Sequence, residues 1–569
     1  MTTSSRFQRF REDVTALPAF DVVVVICLML VALAAFYVTP EFAANLPQDA
    51  GDFAIPAVNL LERGRLVGMG YGHEFAPLHP PGMALLLLPA YAIFGHGLGN
   101  GIYMLLACAL ATIALTYGIG VKLGGRLCGI VAGLFLITHY GFWQYSQKIM
   151  SEVPSALIAV ATLALLLRMH DGKERAPGCV AIGALLGFGI VVRYDNVLLL
   201  VPAMPLLLWN ADWRTKARRL GFCLAGAIAF IIGLGVYDQV AFGSPWRTSY
   251  QYWGAGTNPD KPTFAFANAC KPGFLRQHGI QEPIPGLVEG NGTFYAKSLL
   301  TESDTTRIFG HPLYWQSTGR PIYQALALTR TALGIVGLLA CVTAWRTNPL
   351  WKRFALWLAA ATVVCVGFYV PYRWQEERFL LRLVPGFCLA SGVGAIVLLN
   401  RWRAPIVRAI VSAVVVVEIG AFAFYNWQMG FPSGNDLHLY ETLTGVARQI
   451  ESNAVVVTNF EMQRFNSYVI QGTHRMAVPL SPDNGRVVFV GRGARPTVLH
   501  PFIAVENPNR LRELVDSGRP VYWLINNPWS GESPRDLGAL ERSFRLQVLA
   551  TVSVDGGAEQ PYFGRVRNL

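Results

Sequence analysis

The chain has 569 residues, 53% of them hydrophobic and only 14% charged, with 47 Lys and Arg against 35 Asp and Glu. A soluble domain carries about a quarter charged residues and a disordered chain far less hydrophobicity, so both classes are excluded. The net charge of +12 does not point to nucleic acid. Its basic residues fall in short clusters between long apolar runs, the positive-inside pattern of a membrane protein.

The first residues carry Arg6, Arg9 and Arg11 ahead of an apolar run at 22–38. That run is longer than the apolar region of a signal peptide, and no small-residue cleavage site follows it. It predicts an uncleaved first membrane helix with a cytoplasmic N-terminus. Spans of about 20 apolar residues are then expected at 100–121, 127–145, 153–169, 177–193, 196–210, 219–242, 324–345, 354–372, 379–400 and 407–426. With these eleven helices every basic cluster faces the cytoplasm. The clusters are Lys122 with Arg126, Arg168 to Arg175, Arg214 to Arg219, Arg346 to Arg353, and Arg401 to Arg408. The C-terminus then lies outside.

Residues 83–94 would reverse that parity if they crossed the membrane. The run is only about a dozen residues long, contains Pro89, and is bounded by Pro80-Pro81-Gly82 and Gly95-His96-Gly97. A re-entrant or interfacial segment within an external loop at 39–99 is therefore expected. A second long external loop is expected at 243–322. Beyond it, helix-like stretches at 437–450 and 509–516 alternate with strand-like ones at 454–458, 486–490 and 521–525, the pattern of a small α/β domain. The expected fold is mainly α: a polytopic membrane domain at 1–427 and an extracytoplasmic α/β domain at 428–569. The nine cysteines give no disulfide framework, since most sit inside apolar runs and only Cys270 lies clearly in a polar stretch.

Acids at a membrane edge are expensive, which makes them functional candidates. Asp49 and Asp52 come just before Phe53, Ala57, Leu60 and Leu61, which repeat at helical spacing, so both are expected to precede a short amphipathic helix. A carboxylate there can act as general base or bind a divalent cation, or it can simply cap the helix. Glu152 opens a span with Lys148 one turn before it, and an ion pair between the two is the simplest reading. Arg193 and Asp195 flank a tight turn and can pair across it. Arg378 and Arg382, at i and i+4, are expected on one helical face. Their forked donors suit a phosphate at headgroup level, or they snorkel to the interface. All these clusters, with His79, fall on the external side, which predicts an enzyme site at the outer interface and weighs against a mid-membrane ion path.

These residues resemble the GT-C superfamily of integral-membrane glycosyltransferases, among the bacterial relatives of protein O-mannosyltransferases and of the lipid A aminoarabinose transferase. The similar stretches are Asp49-Ala50-Gly51-Asp52-Phe53 with Ala57, Leu60 and Gly64; His79-Pro80-Pro81-Gly82 with Phe94-Gly95; Ser151-Glu152; Gly187 to Arg193; Phe242-Gly243-Ser244-Pro245 with Tyr250; and Arg378 with Pro385. They cover residues 20–400 in order. Many members carry an acid directly after the first Asp, where this chain has Ala50.

The resemblance implies inverting transfer of a sugar from a polyprenyl-phosphate-linked donor to a lipid, glycan or protein acceptor on the external face of a bacterial cytoplasmic membrane. Asp49 or Asp52 would be the general base, Asp49 being preferred on its spacing to Phe53. Glu152 would orient the acceptor or share a divalent metal, Mg or Mn, with Asp49. His79, Lys148, Arg193, Tyr250, Arg378 and Arg382 would bind substrate, and membrane lipids would hold the chain. The competing class is a transporter or flippase, which tends to show paired halves and interrupted helices near the midplane; no paired halves are evident.

Overall fold

In hydrocarbon every backbone amide must be bonded within its own segment, so the long apolar runs of this chain become helices. The computed structural model describes residues 18–37, 48–70, 73–169, 176–209, 211–248, 295, 320–370 and 377–401. It also describes isolated positions at 409–446, and 449–459, 476–480, 489–490, 498–499, 502–525, 532–553 and 559–569. The helices begin with α1 (Pro18–Phe36), α2 (Gln48–Arg63), α3 (Gly82–Phe94), α4 (Ile102–Gly124), α5 (Arg126–Thr138) and α6 (Tyr140–Ser146). Next come α7 (Glu152–Arg168), α8 (Ala176–Val192), α9 (Leu200–Leu207), α10 (Trp213–Phe242), α11 (Arg320–Thr343), α12 (Pro349–Tyr369) and α13 (Val384–Arg401). Two short 3-10 helices matter below, Tyr194–Leu199 and Glu377–Leu383.

Among the described residues, five helices are long and apolar enough to cross a membrane, and α5 with α6 makes a sixth if that pair, bent by 65°, is one span. Eleven spans were expected. The expected spans at 177–193 and 196–210 fall on shorter apolar helices, as does the described part of 324–345, and 407–426 lies largely outside the described residues. The bend has a local cause. His139 adopts an extended conformation, and its Nδ1 accepts the amide of Phe142 at 3.3 Å, which starts α6 in a new direction. Arg330, deep in α11, donates from Nη1 to Thr138 Oγ1 at 3.1 Å beside that bend. Helix α3 rises about 20 Å, short of the ~30 Å hydrocarbon layer.

The chain forms two compact units. The first comprises Met1–Val38, Tyr103–Ile232 and Phe266–Phe431. Its core is built from Leu163, Leu166, Ile182, Leu207, Trp357 and Leu389, all buried. Helices α11 and α13 approach so closely that a Cβ at Gly337 would collide with the Ala390 carbonyl, and one at Gly394 with the Leu333 carbonyl. Small residues at such crossings let backbones pack in the membrane.

The second unit comprises Thr39–Ile102, Gly233–Ala265 and Pro432–Leu569, so two segments distant in sequence group with the C-terminal region. Here α2 already includes Asp49 and Asp52. The expectation that both acids precede the helix is corrected, because both lie within Gln48–Arg63. Strands β1 (Gly68–Gly70) and β2 (His73–Phe75) pair antiparallel. The C-terminal part holds β3 (Val455–Thr458), β4 (Met476–Pro479), β5 (Phe489–Val490), β6 (Val498–Leu499), α14 (Pro508–Asp516), β7 (Val521–Leu524), α15 (Glu532–Glu541), β8 (Phe544–Ser553) and β9 (Glu559–Asn568).

Its main sheet runs β4-β3-β7-β9-β8, parallel across the first three strands and antiparallel beyond. Strands β3 and β7 are buried throughout, as parallel strands covered on both faces require. Of the strand expected at 486–490, residues 489–490 are described, and they pair with β6 outside the main sheet. Most of the helix expected at 437–450 lies outside the described residues.

Candidate active site

Glu152 is the first residue of α7, where the positive end of the helix dipole favours a carboxylate. Its side chain is 1% exposed. Oε1 accepts from Arg193 Nη1 at 2.5 Å and lies 3.6 Å from Arg378 Nε. Oε2 is buried and accepts no hydrogen bond among the described residues. The ion pair with Lys148 expected from local spacing is therefore replaced by two arginines brought in from elsewhere in the chain. Lys148, itself buried, lies with Nζ 5.0 Å over the Tyr145 ring.

Arg193 leaves the end of α8 in an extended conformation, which turns its side chain back toward the start of α7. Nε donates to Asp195 Oδ2 at 3.0 Å, and Nη1 also reaches Ser151 Oγ at 3.3 Å. The pairing across the turn is thus present, but Arg193 serves Glu152 at the same time. Asp195 is shared in turn with Arg382, whose Nη2 donates to Asp195 Oδ2 at 2.6 Å and to the Tyr369 hydroxyl at 3.1 Å. Arg382 Nη1 donates to the Asp195 carbonyl at 3.0 Å and to Asn196 Oδ1 at 3.1 Å. Asn196 is fixed by donating from Nδ2 to Ser155 Oγ and to the Gly189 carbonyl, both at 3.0 Å.

Burying any one of these charges alone would cost several kcal/mol, and their alternation is what makes the burial tolerable. Burial by itself would raise the Asp195 carboxyl. The charges of Arg193 and Arg382, and their hydrogen bonds, outweigh it and hold that carboxyl below the ordinary carboxylate value.

Two expectations about the arginines need correction. The segment Glu377–Leu383 is 3-10, not α, with three residues per turn, so positions four apart do not share a face. Arg378 and Arg382 accordingly reach different acids, Glu152 and Asp195. Nor does Arg382 snorkel, because its side chain is 2% exposed and bonded within the protein.

The other expected residues belong to the second unit. Asp52 is buried on α2. Its neighbour Phe53 stacks on the His79 ring with centroids 4.4 Å apart, which joins the acid-bearing helix to the His79-Pro80-Pro81 segment. One face of α2 carries Asp52 and, two turns on, the fully buried Asn59, which donates to the Val67 carbonyl at 2.9 Å. Asp49 sits in the first turn of α2, its side chain outside the described residues, and Tyr250 lies outside them altogether. Residues that sequence reasoning passed over are Asn196, Tyr369 and Ser155. A lone amide, Asn196, entering an apolar run beside Asp195 was the available signal.

Among the described residues no group of three or more His, Cys, Asp and Glu side chains could hold a metal ion. Glu152 fits one poorly, since a divalent cation there would face the two guanidinium groups already at Oε1.

The sequence model of the dolichyl-phosphate-mannose-protein mannosyltransferase family matches residues 78–237. No curated protein sequence matches the chain. The fold is similar to that of ArnT from Cupriavidus metallidurans bound to undecaprenyl phosphate, at 13% identity and a TM-score of 0.55 over 97% of this chain and 98% of that one. It is similar to the Archaeoglobus fulgidus oligosaccharyltransferase in complex with Zn and sulfate, at 12% identity and a TM-score of 0.53 over 96% of this chain and 73% of that one. It is also similar to the arabinofuranosyltransferase AftD from Mycobacteria, at 13% identity and a TM-score of 0.52 over 96% of this chain but 40% of that one. The family match covers less than a third of the chain, and the likeness to these three solved structures is one of fold.

Proposed function

We propose that the protein transfers a sugar from a polyprenyl-phosphate-linked donor to an acceptor hydroxyl at the external membrane face. The observation that carries this reading is Glu152, buried at a helix start and held between Arg193 and Arg378. The fold shared with an ArnT bound to undecaprenyl phosphate supports the donor class.

In the proposed reaction a carboxylate of the first external loop, Asp49 or Asp52, takes the acceptor's hydroxyl proton. The acceptor oxygen attacks the anomeric carbon while the bond from that carbon to the phosphate oxygen breaks. The polyprenyl phosphate leaves with the bonding pair, and the anomeric configuration inverts. Arg378 is the cation assigned to the departing phosphate. Its Nε lies 3.6 Å from Glu152 Oε1, beside the acid assigned to the acceptor, and its side chain is 18% exposed where that of Arg382 is 2% exposed. A guanidinium aimed at developing negative charge is worth most in a site that excludes water. Glu152 Oε2 accepts from an acceptor hydroxyl and orients it. Lys148 and His79 contribute further positive or donor character, and Arg382 positions Asp195 and through it Arg193. No step is derived through a metal ion. The protein is placed in a bacterial cytoplasmic membrane, with its N-terminus inside and the C-terminal domain outside.

The transporter reading has one feature in its favour, the 65° break between α5 and α6 with Arg330 beside it. Sugar transfer by the purified chain, reconstituted with a polyprenyl-phosphate sugar, separates the two readings. Arg378→Ala is expected to weaken donor binding at least tenfold, and unchanged affinity for polyprenyl phosphate in that variant rules out its assigned role.

A further inference from the structure

At the end of the first unit that carries its basic clusters, two cations gather on two indoles, and a third bonds the backbone of one of them. Lys352 Nζ lies 4.9 Å from the ring centroids of both Trp209 and Trp345. The Arg353 guanidinium lies 6.0 Å over the same Trp209 ring, and Arg353 is buried. Arg219, also buried, donates from Nη1 to the Leu207 carbonyl at 2.7 Å and the Trp209 carbonyl at 3.3 Å, which fixes the turn that presents Trp209. The start of α12 is fixed as well. Asn348 Oδ1 accepts the amides of Leu350 and Trp351, both at 3.1 Å, and Trp351 Nε1 donates to the Leu123 carbonyl near the end of α4 at 2.7 Å.

Each part has an ordinary purpose. Arg219 and Trp351 satisfy carbonyls left open at helix ends, and a lysine against an indole gains about 0.5–1 kcal/mol when exposed. Their convergence needs more explanation, because like charges gathered around one indole repel. No carboxylate pairs with Lys352 among the described residues, where its partners are the two rings. Asp212, the acid of the adjoining turn, is hydrogen-bonded to Thr215 at the start of α10. Indoles belong at the level of lipid headgroups, and basic pockets between membrane helices bind anionic headgroups.

We propose that Lys352, Arg353 and Arg219, gathered on Trp209 and Trp345, form a binding site for the headgroup of an anionic phospholipid in the leaflet at the basic end of the bundle. The phosphodiester takes the counter-charge that the cluster gathers, and the indoles pack on the glycerol and upper acyl chain. The site is separate from the Glu152 cluster and does not depend on the sugar-transfer reading.

The test uses the full chain in nanodiscs of phosphatidylcholine alone or mixed with phosphatidylglycerol or cardiolipin. Lipids retained after release are counted by native mass spectrometry. The wild-type chain should keep at least one anionic phospholipid in preference to phosphatidylcholine. Lys352→Ala should weaken that retention about fivefold, the effect of one cation at an anionic surface. Trp345→Ala should weaken it too, whereas Lys352→Arg should retain the lipid and guards against a folding defect. Arg401→Ala, an exposed cation at the end of α13, should leave retention unchanged. Equal retention of phosphatidylcholine and the anionic lipids by the wild-type chain overturns the proposal. So does an equal loss in Arg401→Ala, which means diffuse attraction only. Displacement of the lipid by millimolar inorganic phosphate also overturns it, since the site would then take phosphate rather than a lipid headgroup.

Discussion

Asp195 is the residue on which the Glu152 cluster turns, because it is bonded to both Arg193 and Arg382. Its carboxyl is held below its ordinary value, so it contributes stability that is fully present above its unfolded value of about 3.9. That contribution is lost as pH falls through the lower folded value. The thermal midpoint of the purified protein should therefore be insensitive to this group from pH 7 to 5 and should fall below about pH 4. Asp195→Asn removes the charge at every pH and leaves two arginines short of a partner. It should cost about 3–5 kcal/mol at pH 7 and flatten the acid limb of the midpoint-against-pH curve. A variant as stable as the wild type at pH 7 contradicts the network.

At the scale of elements, the site depends on short, irregular pieces that set the direction of longer ones. The 3-10 helix Glu377–Leu383 delivers Arg378 and Arg382 to two different acids, and Tyr369 at the end of α12 completes the Arg382 shell. The contacts of Arg382 are inside the protein, so its proposed part in the reaction runs through Asp195 and Arg193. Arg382→Lys, which cannot make the forked contacts, should lower kcat about tenfold or more with KM for the donor little changed. A rise in KM alone would indicate direct substrate contact instead.

This scale also shows what was legible in the sequence. Long apolar runs gave α1, α4, α10 and α12, and strand patterning gave β3 and β7, because those signals are local. The extended residue at His139 and the 3-10 geometry after Glu377 were not legible, since both depend on packing rather than on hydrophobic period. The candidate acids and arginines stood out by charge in an apolar chain. The partners of Glu152 did not, because Arg193 is 41 positions away, and spacing along one helix offered only Lys148.

Over the whole molecule, the charge surplus has two uses. The basic clusters between the apolar helices are the ones expected to set orientation, and at Trp209 members of two of them gather into the proposed lipid site. Three others, Arg193, Arg378 and Arg382, lie with Glu152 and Asp195 in one cluster. Sugar transfer as proposed takes an acid of α2 for its general base. The most direct measurement is release of polyprenyl phosphate, with formation of glycosylated acceptor, by the purified chain in liposomes supplied with a polyprenyl-phosphate sugar. The wild-type chain should release it. Asp49→Asn and Asp52→Asn combined should abolish release while the thermal midpoint stays within a few degrees. Full release by that double variant would rule out an acid of α2 as the base.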